Sequence, residues 1–402
     1  MRLSSIWPGP RVVMRGSYGE GNFGDDTLML ATHALLRRAF EMDEIAVALG
    51  ASSTADAATH ATKHLPGAAF VPYRGGAGAR LEVWGGGTQW CSFPRTAARS
   101  PLPARLARRF RQPVGSAAYA LRRLDAKARP PISSAAVGVG IGPFADEARE
   151  LASAQQLRRT QFLAVRDAVS KGHCDSWGLD RVVFGADLCF VDHWWTRQGA
   201  VSRSAGTPTR SIGVIVRDWP HDTDGDTYAT PLLRATAALR AEGLRVDFIS
   251  FSPKADAGWR RELGRAGERI VEWGPDAGSV DEFLQQQANY DCLVSSRYHG
   301  AIFGALVGTP VICVDIEPKL RIAADTVQGR LWRKPFDDSE LLALVRTVTE
   351  NHAAETARIA AAVALQRSQA AEMASRFLDF VQSSVFDSQQ ESADTWKAPY
   401  PA

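Results

Sequence analysis

The chain has 402 residues, of which 45% are hydrophobic and 23% are charged, as in ordinary globular proteins. Its length predicts two domains rather than one. The formal net charge of +3 excludes binding of nucleic acid through overall charge, so no nucleic-acid partner is expected.

Cysteine usage and the apolar runs indicate the cellular compartment. The five cysteines are scattered and form no C-x-x-C pair, which predicts reduced thiols, with neither a disulfide framework nor a metal site. Residues 1–14 lack an apolar run long enough for a signal peptide. No stretch approaches the about 18 apolar residues of a membrane-spanning helix. We therefore expect a cytoplasmic protein.

Short strand-like runs alternate with helix-like ones in the first half of the chain. The predicted strands are residues 11–15, 45–49, 81–84, 135–139, 164–165 and 181–183. Residues 27–40 are predicted to form a helix, because their apolar side chains recur with helical spacing. The polar residues 196–210 predict an interdomain linker, so the N-terminal domain is assigned to residues 1–195.

The second half repeats this alternation. The predicted strands are residues 211–216, 245–251, 292–295 and 310–315. The predicted helices are residues 231–241, 279–287 (with Ser279 as N-cap), 300–306 and 338–347. Short apolar strands alternating with helices predict an α/β fold of two Rossmann-like domains, whose parallel sheets face each other across a cleft. The second domain is assigned to residues 211–350, a helical segment to 351–386 and a disordered tail to 387–402.

The segment GSYGEGNFGDD, residues 16–26, lies between the first predicted strand and helix. In open α/β sheets ligands bind at the carboxyl ends of strands, so this segment is a candidate binding loop. This segment alone does not identify a dinucleotide site. Asn22, Asp25 and Asp26 offer polar groups to substrate hydroxyls. Either aspartate could equally cap the following helix, and the two roles are compatible.

The segment VWGGGTQW, residues 83–90, follows another predicted strand. Three consecutive glycines let a ligand or a neighbouring segment approach the backbone closely. Trp84 and Trp90 could stack on sugar rings. Taken alone, the segment is explained more simply by a tight turn after a strand.

The segment SSRYHGAIFGALVGTP begins at Ser295 and leads through a further strand to Lys319. Arg297 and His299 lie two residues apart at a strand's carboxyl end, where the next helix adds amide donors and a partial positive charge. Lys319 follows the next strand and should emerge beside the same pocket. A single Arg or His is more often structural, but three such residues on neighbouring strand ends predict an anion site.

Several segments occur in the order found in one family. They read GSYGEGNFGD, GGG, GVGIGP, VRDAVS, AD and SSRYHGAIF, the last followed by EPK. Together, over roughly residues 10–325, they resemble the polysaccharide pyruvyl transferase family. Two positions depart from the family pattern: Ile316 stands where an aromatic residue is expected, and Tyr298 stands where leucine is usual.

The resemblance implies a GT-B-like fold, with the donor in the C-terminal domain and the acceptor mainly in the N-terminal one. It implies a transferase that moves a pyruvyl group from phosphoenolpyruvate to sugar hydroxyls of a cell-surface polysaccharide or its precursor. The products would be a pyruvate ketal and phosphate. Phosphoenolpyruvate is the donor substrate in this reaction, and no cofactor or metal is expected.

The resemblance also implies roles for individual residues. The donor-binding residues would be Arg297, Lys319, Arg217, Arg166 and Ser296, although Arg166 could instead form a structural ion pair with its neighbour Asp167. His299 is the candidate acid, the alternative being a residue that only hydrogen-bonds the phosphate. Asp25 or Asp26 would take the acceptor proton. The acceptor-binding residues would be Tyr18, Asn22, Gly86, Gly87 and Trp90.

Residues 95–129 contain ten Lys or Arg residues with interleaved apolar ones, and Asp125 is the only acid. This pattern is typical of a helix that lies on an anionic membrane surface, and equally of a solvated connecting helix. The first interpretation predicts a peripheral location on the inner face of the cytoplasmic membrane, beside a lipid-linked acceptor.

Two other functions suit the same sequence features. A nucleotide-sugar glycosyltransferase of GT-B architecture predicts a pair of glutamates eight residues apart in the C-terminal domain to bind ribose, and the sequence has no such pair. A non-catalytic protein that binds anionic glycans would use the same cations without turnover.

Overall fold

The computed structural model describes residues 10–50, 55–75, 78–93, 133–192, 194–195, 210–221, 227–274 and 277–387. The predicted basic segment 95–129, residues 196–209 of the predicted linker and residues 388–402 of the predicted tail lie outside the described residues. Within the described ranges, no helix has both the length and the apolar character needed to cross a membrane.

A parallel sheet organises the first part of the chain. Its strands are β1 (Val12–Arg15), β2 (Ile45–Ala48), β3 (Ala69–Val71), β4 (Leu81–Gly85), β5 (Thr88–Trp90), β6 (Ser133–Ile141), β7 (Phe162–Val165) and β8 (Val182–Phe184). The strand order is β3-β2-β1-β4-β6-β7-β8, and β5 pairs with β6. The strands β2 and β7 are buried along their whole length, as expected in a parallel sheet covered on both faces.

Helices α1 (Phe23–Leu36), α2 (Ala55–His64), α3 (Glu147–Leu157) and α4 (Ala168–Ser176) accompany this sheet, with 3-10 turns at Met42–Glu44 and Leu188–Phe190. The prediction for the start of α1 was wrong. Asn22 is the N-cap, because its side chain accepts a hydrogen bond from the Gly24 N–H at 3.2 Å. Asp25 and Asp26 therefore lie in the first turn, where a negative charge stabilises the helix, and neither caps it.

A second parallel sheet organises the later part of the chain. Its strands are β9 (Ser211–Val216), β10 (Arg245–Ser250), β11 (Ile270–Glu272), β12 (Cys292–Ser295), β13 (Val311–Val314) and β14 (Arg330–Trp332). The order β11-β10-β9-β12-β13-β14 is the Rossmann order, in which the strand sequence reverses between β9 and β12. Two parallel sheets of this kind confirm the predicted α/β fold class.

The helices of this part are α5 (Ala229–Ala241), α6 (Ala257–Arg265), α7 (Val280–Ala288), α8 (Tyr298–Leu306), α9 (Pro318–Val327), α10 (Asp338–Glu350) and α11 (His352–Val381), followed by a π-helical turn, Gln382–Asp387. Ser279 caps α7 as predicted, in a capping box with Glu282. Asp387, the first residue of the predicted tail, still belongs to the last helical turn. Below, the N-terminal domain is β1–β8 with α1–α4, and the C-terminal domain is β9–β14 with α5–α10.

Phe23, at the start of α1, joins the two domains. Its ring centroid lies 4.7–5.0 Å from those of four rings of the C-terminal domain, namely Phe251, Trp273, Phe283 and Phe303. Its backbone N–H also donates to the Phe251 carbonyl at 2.9 Å. A ring buried among other rings contributes several kcal/mol, so this contact fixes the start of α1 against the second sheet.

The long helix α11 makes a second connection between the domains. It packs on α8 and α9 of the C-terminal domain and on β6, β7 and β8 of the N-terminal domain. Phe377 lies 5.6 Å from Phe162 between ring centroids. A methyl group on Gly185 would lie 2.5 Å from the Met373 sulfur, so the glycine lets the helix pack closely. The helix therefore spans both domains.

Candidate active site

One cavity of about 210 Å³ is lined by residues that follow the carboxyl ends of strands in both sheets. Arg217 follows β9 and Arg297 follows β12, on either side of the point where the strand order reverses. Arg166 follows β7 in the other domain. Lys319 lies in the first turn of α9, after β13. Ligands of open α/β sheets bind at this kind of position.

Three cations of the C-terminal domain are held by two buried carboxylates. Glu317 accepts from Arg217 and lies 3.1 Å from the Lys319 amino group. Asp256 accepts from Arg297, which also donates to the Val216 carbonyl at 3.4 Å. Neither carboxylate lines the cavity. The carboxylates thus lie behind the cations and orient them, which leaves the cationic groups along the cavity wall.

Arg166 brings a fourth cation from the N-terminal domain. It donates to Asp187 at 2.8 Å and to the Thr88 hydroxyl at 3.0 Å, and Asp167 lies 3.6 Å away. Its guanidinium carbon also lies 4.0 Å from the ring centroid of Tyr298. Both predicted roles of Arg166 are therefore compatible, since it lines the cavity and forms ion pairs. The tyrosine at 298, unlike leucine, offers an aromatic face to this cation.

Asp25 is the one carboxylate among the described residues that line the cavity. Asn22 donates to it at 2.7 Å. Burial raises the pKa of Asp25 above its ordinary value, and the nearby His299 and Lys319 oppose this effect. Burial also lowers the pKa of Lys319, against the effect of Glu317. The cavity therefore combines four cations and one imidazole with a single, weakly acidic carboxyl group, an arrangement suited to a small polyanion.

His299 lies in the first turn of α8 and reaches the cavity from the C-terminal domain. Its Nε2 is 3.6 Å from the Asp187 carboxylate, and its ring stacks on Phe303 with centroids 5.9 Å apart. Burial raises the pKa of Asp187, but His299 and Arg166 together lower it below its ordinary value. Asp187 is therefore an anion that faces both a guanidinium and an imidazole.

Asp187, Cys189 and His299 bring three potential metal-ligand atoms within 4.8 Å of one another. Asp187 already accepts from Arg166, which supplies the positive charge at this position. Burial raises the pKa of the Cys189 thiol well above its ordinary value, so the thiol is neutral. Asp187 therefore already has a protein cation as its partner at this position.

Several predicted site residues do not line this cavity. Asp26 is buried at the domain interface, where it accepts from Trp273 Nε1 at 2.8 Å. The Ser296 hydroxyl donates to the Ile215 carbonyl at 2.7 Å, and the Tyr18 hydroxyl donates to the Gly85 carbonyl at 2.7 Å. Trp90 is buried against Trp84, with ring centroids 5.7 Å apart. Each of these side chains is used in packing or in an internal hydrogen bond.

Of the two glycines predicted to bind the acceptor, one lines the cavity. Gly87 lines the cavity, whereas Gly86 does not. Both have positive φ, at 70° and 67°, so the tight turn that offered the simpler explanation is present. A methyl group on Gly86 would lie 2.5 Å from Leu28 of α1, so this glycine is needed for packing.

Sequence reasoning missed other residues that line the cavity, namely Ser17, Thr88, Cys91, Phe93, Gly142, Pro143 and Phe251. Gly142 and Pro143 end the GVGIGP segment, so its place in the ordered motif set was the available signal. The role of Asp187 in orienting Arg166 was also missed. Its position in the Ala-Asp motif was the only hint.

A larger groove of about 540 Å³ adjoins the cavity and shares Asn22, Asp25, Arg217 and Arg297 with it. Trp219 contributes to its wall, and its ring lies 4.4 Å from the Arg217 guanidinium carbon. The remaining wall includes Glu20, Asp218, His221 and Lys254. A ligand in this groove would lie beside whatever occupies the cavity.

Solved structures with the same fold are distant in sequence. The Anabaena protein HepE, solved with UDP and glucose, has a TM-score of 0.55 and 12% identity, covering 93% of this chain and 100% of that one. The UDP-GlcNAc 2-epimerase of Methanocaldococcus jannaschii has a TM-score of 0.53 and 10% identity, covering 84% and 92%. A glycosyltransferase of Rickettsia africae has a TM-score of 0.51 and 11% identity, covering 94% and 100%. These similarities support the GT-B-like fold.

Comparison at the sequence level gives the family. No curated protein matches the chain. The model of the family described as "Polysaccharide pyruvyl transferase" matches residues 85–318, which is more than half of the chain. The match includes the glycine-rich turn, Arg166, Arg217 and the segment that carries Arg297 and His299. The chain therefore belongs to the polysaccharide pyruvyl transferase family and is a transferase.

Proposed function

We propose that this transferase moves a pyruvyl group from phosphoenolpyruvate to two hydroxyls of a saccharide that belongs to a cell-surface polysaccharide or its precursor. The products are a pyruvate ketal and phosphate. One observation carries the proposal: four cations from two domains and one histidine face a single cavity of about 210 Å³ at the strand ends. This wall matches a small donor that carries both a carboxylate and a phosphate.

The donor fits the cavity by charge. Phosphoenolpyruvate carries close to three negative charges near neutral pH, and binding it requires several cations that are already oriented. Arg297 and Arg166 offer forked guanidinium groups, while Arg217 and Lys319 are oriented by Glu317, which they share. Phe251 and Phe93 supply apolar surface for the vinyl group.

His299 is the proposed acid. An N–H bond of the imidazolium breaks as a C–H bond forms at the vinyl carbon, which becomes a methyl group and leaves an oxocarbenium-like centre at C2. A sugar hydroxyl attacks C2 and gives up its proton. A second hydroxyl displaces the phosphate and also gives up its proton, which closes the ketal ring. A group that titrates near the working pH is suited to the first step.

Asp25 is the proposed base for the acceptor. It lines both the cavity and the adjoining groove, so a hydroxyl in the groove would meet the donor beside this carboxylate. Burial raises the pKa of Asp25, which makes its carboxylate a better proton acceptor near neutral pH. The acceptor saccharide is accordingly placed in the groove next to Asn22 rather than against Trp90.

A nucleotide-sugar glycosyltransferase remains the second candidate, because the HepE structure of the same fold was solved with UDP and glucose. Thermal shift separates the two. We expect phosphoenolpyruvate to raise the Tm and UDP-glucose to leave it unchanged, and the reverse result would favour glycosyl transfer. Phosphate release from phosphoenolpyruvate on addition of glycan precursors from the source cell would exclude a protein that only binds glycans.

The proposed acceptor is lipid-linked, and the basic segment 95–129 would hold the protein on the anionic inner face of the cytoplasmic membrane. Liposome flotation tests this location. Flotation with anionic vesicles and not with neutral ones is expected, and equal behaviour with both would remove the membrane contact from the proposal.

A further inference from the structure

Three contacts made by the N-terminal domain surround His299, although the residue itself belongs to the C-terminal domain. Asp187 lies 3.6 Å from its Nε2. Gly24 of α1 lies against its other nitrogen, because a methyl group on Gly24 would be 2.3 Å from Nδ1. Cys189, two residues after Asp187, completes this wall. The imidazole is thus enclosed by residues that arrive from a different domain.

We infer that Asp187 and Gly24 are positioning residues for the His299 imidazole, so that the proposed acid is aligned only when the two domains are docked. Asp187 places a negative charge 3.6 Å from Nε2. Gly24, which has no side chain, lets the imidazole pack against α1 on its Nδ1 side. The inference rests on the proposed role of His299 as the acid.

The geometry of Asp187 supports this role. Its side chain is fully buried and is fixed by two hydrogen bonds, from Arg166 at 2.8 Å and from the Cys189 backbone N–H at 3.0 Å. A carboxylate held in this way cannot rotate away from the imidazole. The Nε2 atom is itself buried and lacks a hydrogen bond, so Asp187 is the group that opposes its charge.

A separate observation supports the positioning role of Gly24. It lies in the first turn of α1 and does not have positive φ, so its backbone would accept alanine. A glycine within a helix costs roughly 0.5–1 kcal/mol relative to alanine, and the local conformation does not require it here. A methyl group would also lie 2.7 Å from His299 Cγ, too close to the ring for it to stay in place. The space that this glycine leaves is occupied by the histidine of the other domain.

Other charged groups also face the imidazole. Asp25 on α1 interacts with its charge, and Arg166 lies on the far side of Asp187. Tyr298 and Cys189 are buried, and burial raises the pKa of each well above its ordinary value, so both are neutral. Of these groups, Asp187 and Asp25 favour the protonated ring, and Arg166 disfavours it. Asp187 is the better group to test, because its carboxylate lies 3.6 Å from Nε2.

The test is an NMR titration of the full chain with labelled histidines, in which His299→Gln identifies the His299 signal. Removing the negative charge 3.6 Å from Nε2 in Asp187→Asn should move the midpoint of that signal to lower pH than in wild type. The alkaline limb of the kcat profile should move in the same direction, with the Kd for phosphoenolpyruvate changed less than about twofold. Asp175→Asn, an exposed carboxylate on α4, is the matched control and should shift nothing.

Gly24→Ala provides the second variant and keeps the test usable if Asp187→Asn fails to fold. It should displace the His299 signal and lower kcat about 100-fold or more, the usual contribution of a positioned acid. Gly172→Ala, also helical and with open space around it, is the control and should behave as wild type. An unchanged His299 titration in both Asp187→Asn and Gly24→Ala would overturn the inference.

These outcomes are independent of the proposed function. The variants could shift the His299 titration in a protein that neither binds phosphoenolpyruvate nor releases phosphate. That result would support the positioning roles of Asp187 and Gly24 and contradict the proposed reaction. Normal turnover by His299→Gln would show that His299 is not the acid. The NMR titration would still test whether Asp187 and Gly24 position its ring.

Discussion

The sequence predicted the positions of some cavity residues correctly, whereas other candidate residues do not line the cavity. Arg297, His299 and Lys319 were predicted to meet because each follows a parallel strand, and such strands end at one edge of a sheet. Tyr18, Trp90 and Ser296 were predicted to bind substrate from their motif positions, but their side chains are turned inward. A motif locates a segment, whereas side-chain direction depends on contacts with distant residues such as Gly85 and Ile215.

Lys319 provides a direct test of donor binding. Lys319→Ala removes one of the cations that face the cavity and leaves Glu317 with only Arg217, so phosphoenolpyruvate should bind about 30-fold more weakly or worse. Isothermal titration calorimetry measures the effect. Arg376→Ala, on the exposed side of α11, is the control and should bind as wild type. Equal affinity for wild type and Lys319→Ala would contradict the assignment.

His299→Gln should separate binding from chemistry. Glutamine retains polar contact but cannot act as an acid, so kcat should fall by roughly 10²–10⁴-fold. The Kd for phosphoenolpyruvate should stay within a few-fold of wild type, because the four cations remain in place. Comparable losses in both quantities would indicate that His299 only binds the phosphate, the alternative that the sequence left open.

Asp26, in the interface, is expected to affect stability. Burial raises the pKa of Asp26 from 3.8 to about 7, against the hydrogen bond from Trp273, so the folded protein disfavours the ionised form. This group therefore stabilises the fold most below about pH 4, and its contribution falls as pH rises toward 7. Asp26→Asn keeps an acceptor for Trp273 and cannot ionise. Its Tm relative to wild type should be higher at pH 8 than at pH 5, and a pH-independent difference would contradict this account.

Among the secondary-structure elements, helix α1 was predicted only in part. Helical periodicity located the body of the helix but placed its start four residues late, because the residues of the first turn contact the other domain rather than their own sheet. Phe23 packs into the aromatic cluster of the C-terminal domain, and Gly24 packs on His299. Strands β9 and β12 were predicted with the observed bounds, since each is a short apolar run between polar residues.

Phe23→Ala tests whether the start of α1 docks the domains. Removing a ring enclosed by four others should destabilise the protein by about 3–5 kcal/mol, measured by denaturant unfolding. Phe184→Ala is the control. This phenylalanine is 46% exposed, so its removal should change the free energy of unfolding little. A small effect of Phe23→Ala would show that the contact does not hold the domains.

At the scale of the molecule, alternating strands and helices were enough to predict two Rossmann-like domains, because that alternation has few other solutions. The path of α11 was not predictable, since an Ala-rich helix does not specify which surfaces it packs against. Its contacts with both domains mean that the cavity is built on a connected frame. The site could be predicted as a group of cations at a cleft between two domains. The contacts of Asp187 and Gly24 with His299 could not be predicted, because they join residues far apart in the chain.

The central claim is transfer of a pyruvyl group to a surface saccharide, and mass spectrometry of the source cell's surface glycan tests it most directly. Glycan from cells with the intact gene should carry a pyruvate ketal. Glycan from cells with the gene deleted, or carrying only His299→Gln, should lack it, and the wild-type gene should restore it. Glycans of identical composition in all of these cells would contradict the proposed function.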